Sequence, residues 1–418
     1  MTTIYRGTVL HSLAPDRFEL RPDAELVVDD QGTILELRDA SEGPTEGETQ
    51  GSVDRRGRLI VPGLVDAHFH IPQIDVIGIA SRQLIDWLRE HIFAAEIANA
   101  DPVIARDRAR RSFQGLLASG TTAVAAFSSR HTEATHIAFE EAERAGIRAL
   151  IGKVLMDREA PDALIEPAET ALADTRSLIE HWHGRAEGRL AVAVTPRFGI
   201  TCSDALLLGA GQLAEEFGVP IQTHLSENKG EIARIAELFP DAKDYTEVYE
   251  RAGLIGERTI LAHCIHLDGC EIDRLAAAGA CAVYCPDSNF FLHSGRFPLL
   301  ESRKRGLDVA LGSDIGAGTS WSLLEAMKMG NYMQVEPVDP ALLLFLGTLG
   351  GARALGWEDR IGNFLPGKAA DLVVLEVEEI LSGRSIESTA PAELLSMLIH
   401  RGHRARVEEV YVAGKRLR

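Results

Sequence analysis

Eight short apolar runs recur between residues 64 and 314, with segments of helical periodicity between them, and that alternation leaves few folds open. The runs are LVDAHFH (64–70), TTAVAAF (121–127), RALIGKVLM (148–156), LAVAVTPRF (190–198), VPIQTHL (219–225), TILAHC (259–264), ACAVYC (280–285) and DVALGSD (308–314). Most are apolar at successive positions instead of every second one. That is the pattern of strands buried on both faces, as in a parallel sheet covered by helices. The intervening DPVIARDRARRSFQGLLASG (101–120) and TEATHIAFEEAERAG (132–146) are amphipathic helices. Eight such units over roughly 300 residues argue a closed (β/α)8 barrel. A doubly wound open sheet is the alternative, but no GxGxxG opens the first βα unit, so its dinucleotide-binding version lacks support.

The two ends of the chain have another texture. TVLHSL, AELVVDD and TILEL alternate in short runs split by turn-rich pieces such as DASEGPTEGETQG (39–51), and the same texture returns in NFLPGKAADLVVLEV (363–377) and VEEVYVAGKRL (407–417). The expected class is therefore α/β. A TIM-like barrel is expected over 63–366, with a small discontinuous β-sandwich domain built from 1–62 and 367–418.

Charge excludes several functions. With 43 basic against 62 acidic residues the net charge is −19, which disfavours binding a nucleic-acid backbone or an anionic membrane. Cys202, Cys264, Cys270, Cys281 and Cys285 form an odd set with no CxxC pair, so neither a disulfide framework nor a four-cysteine zinc site is indicated. MTTIYRGTVLHSL lacks the apolar core of a signal peptide, and no apolar stretch reaches ~18 residues, so the expected location is cytoplasmic.

Chemistry enters with the first run. Residues i and i+2 of a strand face the same way, so His68 and His70 can share one small target. Alone, the pair could equally be two core histidines bonded to backbone. In a barrel, however, the C-terminal strand ends line the active site. Read in order, those ends carry His68 and His70, then Arg197, then His224 followed by Glu227, then His263 with His266 just beyond, and finally Asp314. Core histidines have no reason to gather at that end of several strands. Three neutral imidazoles and one carboxylate suit one Zn²⁺ with a position left for water, although Fe²⁺ or Mn²⁺ also accept these ligand types.

At this point the chain resembles the amidohydrolase superfamily and, within it, the guanine deaminase family. The specific pieces are PGLVDAHFHIPQ (62–73), LIDWL (84–88), GKVLMDREAPD (152–162), TPRF (195–198), THLSEN (223–228), AHCIHL (262–267), CPDSN (285–289) and GSDIGAGTSWS (312–322), and NFLPGKAADLVVL (363–375) is a general superfamily signature. The resemblance implies zinc-dependent hydrolytic deamination of guanine to xanthine and ammonia, a step of purine catabolism, by a homodimer. It makes His68, His70, His224 and Asp314 the ligands of one metal and gives His263 a hydrogen bond to the water there. Binuclear members bridge their metals with a carboxylated lysine from the fourth strand. Here that strand offers Arg197, and Lys153 lies on the third, which favours a mononuclear site. His266 is expected to be structural.

The chemistry of the residues agrees. The ring must take up a proton as its carbon is attacked, and Glu227, three residues past His224, can carry it from water to ring. Asp314 can orient the water and accept its second proton. Its alternative role is N-cap of a helix starting near Thr319 or Ser320. A guanidinium offers donors to a carbonyl, so Arg197 is suited to read O6 of the purine base, with the Gln73 amide on the ring edge. A buried salt bridge is the structural alternative for that arginine. His70, Phe198, His224, Glu227 and Asp314 complete the expected substrate contacts, with Trp87, Leu88 and Phe93 as an apolar lid. The chain departs from the family pattern where Ala94, Ala95 and Glu96 stand in place of PTE, in the aspartate of CPDSN, in GAG at 316–318 and in Arg130 beside His131. These departures leave room for a rival activity, deamination or dechlorination of another amino-heterocycle such as a pterin, a triazine or an oxidised guanine. A non-catalytic scaffold would have lost metal ligands. A cytidine-deaminase arrangement fails because no PCxxC follows His131-Thr132-Glu133.

Overall fold

In a computed structural model of the chain, which describes residues 2–42, 50–80 and 84–418, every one of the eight apolar runs forms a strand. They are β1 (Leu64–His70), β2 (Thr121–Phe127), β3 (Arg148–Gly152), β4 (Leu190–Val192), β5 (Ile221–Leu225), β6 (Thr259–His263), β7 (Cys281–Tyr284) and β8 (Asp308–Leu311). β1 to β4 make one four-stranded sheet in that order, and β5 to β8 make a second. Pairing is parallel between β3 and β4 and throughout the second sheet. Every residue of β1, β2 and β3 is buried, which is why their sequences run apolar without alternation.

Two of the runs split. β3 is followed by Val154–Leu155 and β4 by Thr195–Pro196, and these short pieces pair with each other in parallel. Gly152 sits at the break because a Cβ there would lie 1.7 Å from Thr195 Oγ1. Backbone bonds continue beyond the sheets. Val194 bridges to Ile221, the Asp314 N–H donates to His68 O (2.8 Å), and the His70 N–H donates to Ile315 O (2.9 Å).

Helices Pro102–Ala118 and Thr132–Ala145 follow the expected bounds within two residues. The second buries Ala134, Ile137, Ala138 and Ala142 on one stripe and ends at Gly146, whose φ of 77° suits glycine. Its Phe139 is fully buried and stacks on Trp182 at 5.1 Å. Truncation of such a side chain to alanine typically costs about 3–5 kcal/mol.

The chain divides into two compact units, one of Ala67–Gln114 and Val124–Trp321, the other of Met1–Asp66, Gly115–Ala123 and Ser322–Arg418. In the latter, strands Lys415–Arg416, Arg406–Val412, Leu372–Glu376, Gln50–Pro62, Thr2–Ala14, Arg17–Val28 and Ile34–Asp39 form one seven-stranded sheet in that spatial order. Helix Pro340–Leu346 packs on strand Thr2–Ala14. Of the turn-rich stretch 39–51, residues 43–49 lie outside the described residues. Among the described residues, no helix is long and apolar enough to cross a membrane.

Candidate active site

Within the unit Ala67–Gln114 and Val124–Trp321, β1 ends by turning His68 and His70 to one side, and the backbone bonds from Asp314 and His70 hold the end of β8 beside it. Gly312 permits this approach, since a Cβ there would come within 2.9 Å of His68 Cβ. The polar tips converge. His68 Nε2 and His70 Nε2 are 3.1 Å apart, and His70 Nε2 and His224 Nε2 are 3.3 Å apart. Asp314 Oδ1 lies 3.2 Å from His68 Nε2 and 3.3 Å from His70 Nε2. Four ligand atoms around one tetrahedral zinc at about 2.0–2.1 Å would stand about 3.3 Å apart. The donor set fits a metal ion.

The local backbone and protonation fit it too. Ser226, His263, Cys264 and Asp314 have φ of 50°, 72°, 49° and 51°. This left-handed region is uncommon for such residues and costs on the order of 1–3 kcal/mol each, so the strand ends are bent sharply to aim their side chains. His224 Nδ1 lies 2.6 Å from Arg197 O, an acceptor, so Nδ1 carries the proton and Nε2 presents its lone pair to the cluster. Burial pushes His70 down to about 3 and His224 well below its ordinary value, leaving both neutral. Burial alone would raise the Asp314 carboxyl, but His68 and then His70 hold it well below the usual carboxylate range.

These tips open on a cavity. Its polar wall is formed by His70, Gln73, Arg197, His224, Glu227, His263 and Asp314, and its apolar wall by Trp87, Leu88 and Phe198 with Leu84 and Leu292. His68 lies behind them, its ring 4.9 Å from that of Phe127. Glu227 Oε2 is 3.5 Å from His263 Nε2, and Glu227 Oε1 accepts a bond from Ser294 Oγ at 3.0 Å. Burial and then Asp314 push the Glu227 carboxyl up to about 8. His263 is oriented from behind by Asn289 Oδ1, 2.9 Å from its Nδ1.

The remaining candidates find these places. Phe93 lines a neighbouring groove beside Leu88 and Phe198, not the cavity. Asp314 caps no helix, because the next one is Leu323–Tyr332 with Ser322 at its N-cap. Arg197 is both things that were set against each other. It faces the cavity, and it forms a buried ion pair with Glu96. His266 bonds Ser294 O at 2.8 Å. Lys153 is fully buried and committed to an ion pair with Glu166.

Glu96, Glu231, Asn289 and Ser294 were not picked out from the sequence as site residues. Glu96 had one signal, the need of a buried Arg197 for a carboxylate partner. Glu231 had one, the spacing from Asn228 that makes a capping box on helix Lys229–Leu238. Its Oε2 accepts the backbone N–H groups of Glu227 (2.9 Å) and Asn228 (3.2 Å), which fixes the loop carrying Glu227. Burial, and then Glu227, push the Glu231 carboxyl up to about 7. Between its ordinary 4.5 and that value the folded chain holds a proton that the unfolded chain has lost, so this group makes stability fall as pH rises. At most the loss is about 3 kcal/mol over that window. Glu231→Gln should therefore gain on the wild type between pH 5 and pH 8 in urea unfolding, and a constant difference would rule this out.

The amidohydrolase family matches residues 59–417, and the chain belongs to that family. Its α/β class is the TIM-barrel one, and its members' hydrolytic chemistry is typically metal-dependent. Over 368 residues the chain is 39% identical to the guanine deaminase of Escherichia coli (strain K12), covering 87% of this chain and 83% of that protein. A guanine deaminase structure from C. acetobutylicum, with guanine bound in its active site, matches at a TM-score of 0.92 and 30% identity, covering 100% of both chains. Another, from Bradyrhizobium japonicum, matches at 0.91 and 30% identity, covering 100% of this chain and 99% of that one.

Proposed function

We propose that the chain hydrolyses guanine to xanthine and ammonia. One observation carries this most directly: three imidazoles and a carboxylate converge at the wall of a cavity that also presents Arg197, Gln73 and Glu227. The guanine bound in the related C. acetobutylicum structure supports the choice of base. A zinc ion held by His68, His70, His224 and Asp314 would supply a Lewis acid that makes water nucleophilic at neutral pH.

The remaining work belongs to the chain. Glu227 takes a proton from the attacking water and delivers it to the ring nitrogen beside the amino-bearing carbon, then serves the departing amine. His263, held by Asn289, hydrogen-bonds the nucleophile, and Asp314 accepts the second proton. Arg197 donates to O6 and Gln73 pairs with the ring edge, while Trp87, Leu88 and Phe198 cover the base and exclude water. The balance is guanine plus water giving xanthine plus ammonia.

The finer architecture is proposed on the same footing. Closure of the two four-stranded sheets into one barrel is supported by the Val194–Ile221 bridge and by the bonds from Asp314 and His70 across β8 and β1. Folding of the seven-stranded sheet into a sandwich is supported by its shared core. Ile34 near one edge and Tyr411 near the other pack in the same cluster. The domain boundaries at 62/63 and 366/367 stand as proposals with it.

The test is ammonia release by the purified protein from guanine, adenine, cytosine, a pterin and a triazine. Ammonia and xanthine from guanine are expected, with the other rings far slower. Turnover of another ring without guanine would overturn the assignment of substrate.

A further inference from the structure

Glu96 lies on helix Phe93–Ala98, fully buried, and no part of the proposed reaction uses it. One of its oxygens does two jobs. Glu96 Oε1 takes an ion pair from Arg197 Nη1 and also faces Gln73 Nε2 at 3.3 Å. Glu96 Oε2 has no hydrogen-bond partner among the described residues. Both partners line the cavity, and among the described residues neither the guanidinium nor the Gln73 amide bonds any other side chain.

We infer that Glu96 is the positioning residue that sets the hydrogen-bond polarity of the base-reading wall, and so selects a 6-oxo, N1–H purine over a 6-amino one. A carboxylate can only accept, so the Gln73 amide must turn its NH₂ to Glu96 and leave its carbonyl for the cavity. Arg197 can only donate. The wall therefore presents a fixed acceptor together with fixed donors. The edge of a 6-oxo purine is a donor at N1 beside an acceptor at O6, and it matches both groups. A 6-amino purine reverses that edge, setting acceptor against acceptor and donor against donor. Buried polar groups left unpaired in this way are what make such discrimination large. Without Glu96 the amide is free to turn over, showing its carbonyl to a 6-oxo purine or its NH₂ to a 6-amino one, and Arg197 would have no counter-charge.

This inference rests on the purine reading of the cavity, and the experiment separates the two. Affinities of the metal-loaded protein are measured by calorimetry for hypoxanthine (6-oxo, with no amine to lose) and adenine (6-amino), alongside turnover of guanine and 2,6-diaminopurine. The wild type should bind hypoxanthine far more tightly than adenine. E96Q keeps the shape but frees the amide, so it should lose at least about tenfold in hypoxanthine affinity and narrow the gap to adenine by a similar factor. For guanine, KM should rise by about that factor while kcat changes little, the signature of lost uniform binding. E96Q added to Q73A should cost less selectivity than E96Q alone, because the route through the amide is already gone. Should E96Q fail to fold, E96D keeps the counter-charge but shortens the reach to Gln73, and selectivity should still fall. Unchanged selectivity in either folded variant, or additive losses with Q73A, would overturn the role. A wild type that binds hypoxanthine selectively yet releases no ammonia from guanine would instead overturn the proposed reaction alone.

Discussion

Glu227→Gln is expected to lower kcat for guanine by at least about 10²-fold, the scale of losing a general acid–base group, with the metal content unchanged. The substitution keeps the volume and the bond with Ser294 Oγ, and the loop keeps its shape because Glu231 holds the backbone N–H groups of residues 227 and 228. What it removes is the capacity to carry a proton. The pH profile gives a second readout. Acting first as a base, Glu227 must be ionised, so the rate should rise as pH passes through its titration. Burial and the Asp314 charge place that step above the ordinary 4.5, at about 8. A cation on Asp314 would cancel the second cause and bring the step down towards neutrality. The wild type should thus show a rising limb between those bounds, and the variant should lose it. Loss of the metal along with activity, or near-full turnover by the variant, would end the shuttle assignment.

Strands were legible where burial on both faces wrote a continuous apolar run, and β1 and β2 match theirs residue for residue. The splits after Gly152 and Val192 were not, because they depend on contact between Gly152 and Thr195, far apart in sequence. The same division runs through the site. His68 and His70 could be paired from their spacing, and His224 and Glu227 from their place at a strand end, since these are local relations. Glu96 stands 101 positions from Arg197, and Ser294 stands 67 from Glu227. Nothing local joins either pair. Arg197 shows the sharper difficulty. Its charge says that a carboxylate or a carbonyl must satisfy it, and the sequence does not say that both can. A planar guanidinium with five donors can take a buried carboxylate on one nitrogen and keep others for the cavity. Phe93 was misplaced for a comparable reason. An apolar helix reads as one face, but only the fold decides which of Trp87, Leu88 and Phe93 turns to the cavity.

Removing the bound cation is expected to produce the larger loss, at least about 10³-fold in ammonia release. A Lewis acid contributes several kcal/mol to a transition state of this kind, and each 1.36 kcal/mol is about tenfold. Dialysis against a chelator, followed by graded return of Zn²⁺, tests this, with recovery expected to saturate near one equivalent per chain. The stoichiometry follows from the geometry. Both groupings of close ligand atoms, His68 with His70 and His224 and His68 with His263 and Asp314, need His68, so they describe one centre. A bridging carboxylated lysine needs a free amine, and the Lys153 amine is taken up by Glu166. Stability supplies a readout that does not depend on turnover. Because the cation binds only the native chain, protein at 100 times Kd should gain about 2.7 kcal/mol over the chelated form and unfold at a higher temperature. Asp314→Asn should mimic chelation in both respects, whereas Arg197→Ala should raise KM and leave the thermal response to Zn²⁺ intact. Two tightly held cations per chain, or carboxylation found on Lys153, would show that the site is binuclear.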